Sequence, residues 1–381
     1  MNKNNFMICL LLFIVNFYLT AQENVSVLQS GERLLISTQG QFALESGILE
    51  EDAALLARAK ARYASIQNAT LYLMKHPSIV PSMNSKSQGA ILMMGLISIE
   101  EETPDKMYAD GQQHVVINTV MALNLNSLNQ RFNQIQNKPW LFKTYEMEYE
   151  RFDSLSLKLL TIASQNQTSG FKEVHLMVKQ FKSSEWVSKG LRSNNAAVQV
   201  QQFDQAILLD PDYAFARFQR GKAYSRLKAY EKALENYDSL IDQYPGWTEL
   251  YHARGLIHGY LENYEKVIQD YQMVLNEYPD CISALINRGI AYSKTDQLEP
   301  ARKDYQKVLE SHPQHVVANY NLGCIHTLQG DTSAALKAIE SALQNGYSDF
   351  DAIFEDDDLK PLQDNPEFKK MIDQYKKLTL E

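Results

Sequence analysis

The sequence predicts an all-α protein made of stacked helix pairs, and three observations carry that prediction. Pro211, Pro245, Pro279 and Pro313 recur at one constant interval. Gly221, Gly255, Gly289 and Gly323 keep the same step, as do Ala233, Val267, Ala301 and Ala335. Tyr237, Tyr271 and Tyr305 form a third column, with Ile241, Leu275, Leu309 and Leu343 as a fourth. A period of about 34 residues with a small residue, an aromatic and a closing proline in fixed phase marks a stacked helix pair. Such arrays offer a long surface to another protein rather than a pocket for chemistry.

Within the best-formed copy the first helix runs from Ala214 to Leu227 and the second from Tyr230 to Tyr244. Glycine inside a helix costs about 1 kcal/mol against alanine, so four glycines in phase imply that close approach of a partner helix offsets the cost. Ala233 makes matching room on the second helix, and Tyr237 is expected to fill the gap between neighbouring repeats. The proline of each copy stops the second helix by clashing with the turn before it.

The phrase Arg220-Gly221-Lys222-Ala223-Tyr224, followed by Tyr230, Ala233, Tyr237 and Pro245, resembles the tetratricopeptide repeat family. So does Arg288-Gly289-Ile290-Ala291-Tyr292 with Ala301, Tyr305 and Pro313. A shortened copy opens at Trp186 and Gly190 and closes at Phe203, Ala206 and Pro211, with Gln199 in place of a small residue. About five copies therefore cover residues 183–347. The resemblance implies a right-handed superhelix of stacked helix pairs whose first helices line an inner, concave groove. The groove residues so implied are Phe218, Lys222, His252, Leu256, Ile286, Asn287, Ile290, Tyr320 and Asn321. Phe218, Ile286 and Tyr320 are expected to anchor apolar side chains of a ligand. Asn287 and Asn321 either hold the backbone of an extended peptide, since a carboxamide donates and accepts at once, or bond neighbouring helices.

After the last copy, residues 348–381 resemble the tail that closes such arrays. Asn365 is placed to cap a helix with Pro366 in its first turn, and Phe368, Met371, Ile372 and Tyr375 lie at helical spacing as a covering stripe. The acidic run Glu355 to Asp358 reads as a turn with helix-capping carboxylates.

The region 22–182 lacks the repeating beat and reads as mostly helical. Leu55, Leu56, Ala59, Tyr63, Ile66, Thr70 and Leu73 mark one long helix ended by His76-Pro77. A second helix covers Pro139 to Ser164, and a third covers Phe171 to Phe181 and leads into the repeats. Ala90 to Ile99 and Val115 to Leu128 suit a buried helix or a strand equally well, because periodicity alone does not separate the two in short apolar runs. Residues 77–89 and Glu100 to Gly111 read as loops.

The chain has 381 residues, more than one ordinary core, and its 45% hydrophobic and 22% charged composition is that of a globular protein. Lys+Arg 37 against Asp+Glu 46 gives a net charge of −9, which argues against a nucleic-acid binder relying on bulk positive charge. Lys3, the apolar run from Phe6 to Leu19 and the small Ala21 resemble an export signal over residues 1–21. The run is shorter than the roughly 20 residues a spanning helix needs, so no transmembrane span is expected in the mature chain. The expected location is periplasmic or secreted, with association to the outer membrane as a variant. Cys281 and Cys324 lie in different phases of the repeat and are expected to be buried thiols rather than a disulfide. Metal-ligand spacing, phosphate loops and nucleophile elbows are not found, so no cofactor, metal or catalytic residue is expected. His258 and His326, in the column of Tyr224 and Tyr292, read as aromatic filler. These observations point to an exported, non-catalytic scaffold that grips a protein or peptide. The alternatives are an enzyme or carbohydrate-handling protein acting through its N-terminal half, and a self-associating assembly subunit.

Overall fold

Among the described residues helices dominate, and a single antiparallel sheet lies in the N-terminal part with one helix between its second and third strands. The computed structural model describes residues 26–43, 48–76, 79, 89–90, 93, 96–109, 111–138, 140–164 and 171–378. The export signal read over residues 1–21 lies outside them, as does nearly all of the loop read over residues 77–89. The chain divides into two units between Leu227 and Lys228.

The first unit opens with β1 (Ser26–Ser30) and β2 (Arg33–Ala43), followed by α1 (Glu50–Lys75), β3 (Ile97–Ala109) and β4 (Gln112–Asn124). The strands form an antiparallel sheet of order β1-β2-β4-β3. Alternate residues of β2, namely Leu34, Ile36, Thr38, Gly40 and Phe42, are buried, as a half-covered sheet requires. α1 covers that face so closely that a Cβ at Gly40 would lie 1.8 Å from the Ala57 carbonyl oxygen, so only glycine fits. One step away, Thr38 Oγ1 donates to the Ala61 carbonyl at 3.1 Å and lies 2.9 Å from Ser65 Oγ and 3.0 Å from Thr119 Oγ1. These buried hydroxyls satisfy one another and fix the register of helix on sheet.

The sheet corrects one expectation and resolves two open ones. Glu100 to Gly111 is not a loop: it belongs to edge strand β3 and the hairpin that follows. Its acidic, proline-containing text suits an edge, where charges and proline are tolerated. Glu102 and Lys106 turn back to Arg58 and Glu50 on α1, with N–O distances of 2.6 and 2.7 Å, and Gly111 supplies the left-handed hairpin residue at φ 76°. Val115 to Leu128 is strand first and helix second. Asn124 ends β4 and caps α2 (Leu125–Asn137) by accepting from Ser127 N. In Ala90 to Ile99, the last three residues open β3, while Ala90 and Met93 join the core.

The three helices expected in this region are present. α1 buries Leu55, Leu56, Ala59, Ile66, Thr70 and Leu73, and α3 (Trp140–Ser164) buries Phe152, Leu155 and Leu159. α4 (Phe171–Arg192) runs unbroken through residue 182, where the N-terminal region is expected to give way to the repeats. The unit closes with α5 (Ala196–Leu209) and α6 (Ala214–Arg226). A Cβ at Gly190 would meet the Phe203 ring at 2.5 Å, so the shortened copy keeps the close crossing. Its turn is held by Asn195, which caps α5, and by Gln199, whose Nε2 donates to the Ser193 and Gly190 carbonyls at 2.7 and 3.3 Å. The large polar residue at that position satisfies the carbonyls of the abbreviated turn.

The second unit comprises α7 (Tyr230–Gln243), α8 (Thr248–Tyr260), α9 (Tyr264–Glu277), α10 (Ile282–Lys294), α11 (Leu298–Ser311), α12 (Val316–Leu328) and α13 (Thr332–Gln344). Its tail is α14 (Phe350–Glu355), a 3-10 turn (Asp357–Leu362) and α15 (Pro366–Leu378). Two chain reversals alternate. After each first helix one residue takes left-handed φ near 57–58° at Lys228, Glu262 and Asp296, while Gly330 takes φ 79° at the same phase of the repeat. At Glu262 the next N–H, of Asn263, reaches back to the His258 carbonyl at 2.9 Å, and Gln297 to Tyr292 and Asp331 to His326 repeat the bond. This is a Schellman closure. After α7, α9 and α11, proline occupies the second place of a turn closed by Trp247 N to Tyr244 O at 3.0 Å, Cys281 N to Tyr278 O at 3.1 Å and His315 N to His312 O at 2.9 Å.

The glycines sit at close crossings. A Cβ would come within 2.6 Å of Tyr305 at Gly289, 2.5 Å of Ile339 at Gly323, and 3.2 Å of Asp270 and Tyr271 at Gly255. The tyrosine column therefore packs first on the glycine of its own repeat, not only between repeats. His258 fills the aromatic column, buried, with burial and the nearby charges of Lys266 and Arg254 pushing its imidazole down to about 4.

Candidate interaction surface

In the second unit the first helices touch from repeat to repeat, α8 with α10 and α10 with α12, more closely than the second helices do. Helices on the inner side of a curved stack lie closest together, so these three line the inner face. Leu256 on α8 is 38% exposed and Ile290 on α10 is half-exposed, giving the face an uncovered apolar line. His252 is half-buried, with its ring nitrogen Nε2 3.1 Å from Ser283 Oγ on α10 and its ring edge-on to Tyr271. Ile286 is buried beside it.

The two asparagines are half-buried. Asn287 Nδ2 donates to the Ser283 carbonyl at 2.8 Å. Its side chain lies beside the Tyr271 hydroxyl of the preceding repeat, as that of Asn321 lies beside Tyr305. Burial pushes both tyrosine hydroxyls up, so they stay neutral. The Asn287 bond stays within its own helix, and Asn321 Nδ2 is buried with no hydrogen-bond partner among the described residues.

None of the three expected anchors is open, and Ile286 is buried like the other two. Phe218, in the first unit, is fully buried; Lys222 beside it is exposed and lies 5.2 Å from the Phe218 ring centre. Tyr320 is covered by the tail. Its hydroxyl donates to Asp356 Oδ2 at 2.7 Å, and its ring stacks on Tyr347 with centroids 4.4 Å apart and planes 4° apart. Cys324, one turn further along α12, has its Sγ 3.7 Å from the same carboxylate oxygen. Burial first, then the Asp356 and Asp358 carboxylates, push this thiol well above its ordinary value. Cys281 and Cys324 are both buried thiols.

Sequence reasoning missed a ladder of arginines, although its signal is in the sequence. Arg220, Arg254 and Arg288 keep the repeat step immediately before the glycines. Arg254 donates to Asp270 of its own repeat at 2.6 Å and to Asp238 of the preceding one at 2.6 Å. Arg288 donates to Asp304 at 2.7 Å and to Gln272 at 2.6 Å. In the first unit Arg220 reaches Asp204 at 2.7 Å. Burial alone would lower the Arg254 pKa, and the bonds to Asp270 and Asp238 outweigh it and raise it. The ladder ties repeat to repeat and leaves the inner face for other contacts.

A second polar cluster knits α3 and α4 to the turn before α6. Arg151 pairs with Asp210 at 2.7 Å, donates to Ser184 Oγ at 2.8 Å and lies 3.6 Å from the Tyr213 ring centre. The Tyr213 hydroxyl donates to Glu148. Burial raises the Glu148 pKa, against the pull of Arg151, Tyr213 and Arg62. The members come from separate elements, so no local spacing announces them.

Comparison with known proteins agrees with this architecture. Tetratricopeptide-repeat models match residues 215–246 and 286–349. No curated protein sequence matches the chain. Among solved structures, MamA residues 41–end from Desulfovibrio magneticus RS-1 is 17% identical, covers 44% of this chain and 98% of its own, and has a TM-score of 0.42. YrrB, described as a TPR protein with an unusual peptide-binding site, is 18% identical over 51% of this chain and 96% of its own, with a TM-score of 0.39. Likenesses at these scores add nothing to the assignment, which rests on the family matches and the repeating architecture. The helix pairs within residues 215–246 and 286–349 match tetratricopeptide-repeat models.

Proposed function

We propose that the protein is an exported, non-catalytic scaffold that holds a protein or peptide partner along the first helices of its repeats. The observation that carries this reading is the uncovered apolar line of Leu256 and Ile290 on a face built by α8, α10 and α12. Repeat arrays bind along such extended surfaces, and apolar side chains in register on successive first helices suit an extended partner segment. The polar and charged groups that converge in the first unit, Arg151, Asp210, Glu148 and Tyr213, bond to one another, which gives less support to the enzyme alternative. Export rests on Lys3, the apolar run to Leu19 and Ala21.

Affinity capture from the native envelope tests the binding reading. The wild-type chain is expected to retain a partner that Leu256→Asp and Ile290→Asp chains of normal helicity lose by at least about tenfold, since well-buried anchors typically contribute over about 1 kcal/mol. Capture of the same partner at equal yield by all three chains would move the site elsewhere.

A further inference from the structure

α13 ends in a left-handed turn at Gly346, φ 102°, closed by Tyr347 N to the Ala342 carbonyl at 3.0 Å. Beyond it the chain returns across α12 instead of continuing outward. Tyr347 stacks on Tyr320, and the 3-10 turn Asp357–Leu362 packs on α12 with Leu359 and Leu362 buried. Asp356 bolts the turn down from both sides. Its Oδ1 accepts from Asp358 N at 3.0 Å and shapes the turn, while its Oδ2 accepts from Tyr320 on α12. Lys294 at the end of α10 attracts Asp357 and Asp358.

The position of this contact gives it meaning. Tyr320 and Cys324 on α12 stand one repeat beyond Ile286 and Ile290 on α10, and two repeats beyond His252 and Leu256 on α8. Leu256 is open, Ile290 is half-open, and Cys324 is closed under the turn. The tail meets the array in two places, with Leu359 and Leu362 of the turn in one core with Phe368 and Ile372 of α15. α15, through Phe368 and Ile372, covers the end of the array, whereas the acidic turn occupies the inner face itself.

We propose that Asp356–Leu362 is a strap: a built-in occupant that closes the α12 end of the interaction face and lifts independently of the end cap. With the strap down, a partner reaches α8 and α10 only; with it raised, Tyr320 and Cys324 extend the face by one repeat. The proposal rests on the reading of this face as the binding surface, but its test needs no partner. A failed capture experiment and a failed strap are thus separate results.

Hydrogen exchange of the full chain, resolved by peptide, reads the strap directly. Tyr320→Phe removes the bolt and leaves the Asp356 cap on Asp358 N intact; Asp356→Ala removes both. Exchange across residues 356–363 is expected to quicken at least tenfold in Tyr320→Phe and further in Asp356→Ala, with α13 and α15 as protected as in the wild type. Unchanged exchange of the turn in Tyr320→Phe would overturn the bolt. Loosening of turn, α13 and α15 together would overturn the strap, because the tail would then open only as one body.

Discussion

A single missing methyl group decides how closely the two helices of a repeat approach, and the copies do not weigh it equally. At Gly289 an added Cβ would stand 2.6 Å from Tyr305, which is 1% exposed and has nowhere to go. At Gly255 the nearest atoms are 3.2 Å away, tight but within reach of a small adjustment. Alanine gains about 1 kcal/mol over glycine in a helix, while overpacking costs roughly 1–3 kcal/mol. Gly289→Ala is therefore expected to lose up to about 2 kcal/mol and Gly255→Ala to be close to neutral or slightly stabilised, by urea denaturation. Coincident midpoints for the two variants would refute the crossing geometry. The same residue-scale reasoning explains the left-handed positions: Gly330 adopts one freely, whereas Lys228, Glu262 and Asp296 hold it under strain.

Between elements, stability depends on whether a charge is left behind. Asp270 has a side chain 3% exposed and faces Arg254, while Asp204, facing Arg220, is 45% exposed. Arg254→Met strands a buried carboxylate and is expected to cost about 3–5 kcal/mol, with most of the loss recovered when Asp270→Leu is added. Arg220→Met should cost about 1 kcal/mol or less from its Asp204 pair. A loss below about 1 kcal/mol in thermal or urea melts of Arg254→Met would show that the ladder is not structural. This element scale is also where the sequence is least legible. Helix pairs are legible because each position is repeated, so Gly289 confirms Gly255. The sheet has no second copy: β3 reads as charged because its outer edge is open and its inward Glu102 and Lys106 are paired to α1. The spacing places Tyr320 on the first helix of its repeat, yet its partner Asp356 lies in the tail, outside the repeating pattern.

At the scale of the whole array, the last repeat has an apolar side that no further repeat covers. Ala335, Ile339, Ala342 and Leu343 meet Phe350, Ile353, Phe368 and Ile372 of the tail in one core. The outer side of α15 is polar, with Lys369, Lys370, Asp373, Lys376 and Lys377 exposed. An end repeat without such a polar cover exposes its core to other molecules, and each large apolar side chain left in water forfeits about 1.5–3 kcal/mol. A chain ending at Tyr347 is expected to associate or aggregate and to melt lower than the full chain. Light scattering and thermal melts read both effects. The strap variants separate this capping role from occupancy of the inner face, because Tyr320→Phe leaves Phe368 and Ile372 in place and should remain as monodisperse as the wild type. A chain cut at Tyr347 that kept the size distribution and melting temperature of the full chain would show that the array is complete without its tail, and that the apolar core formed there contributes nothing to its cohesion.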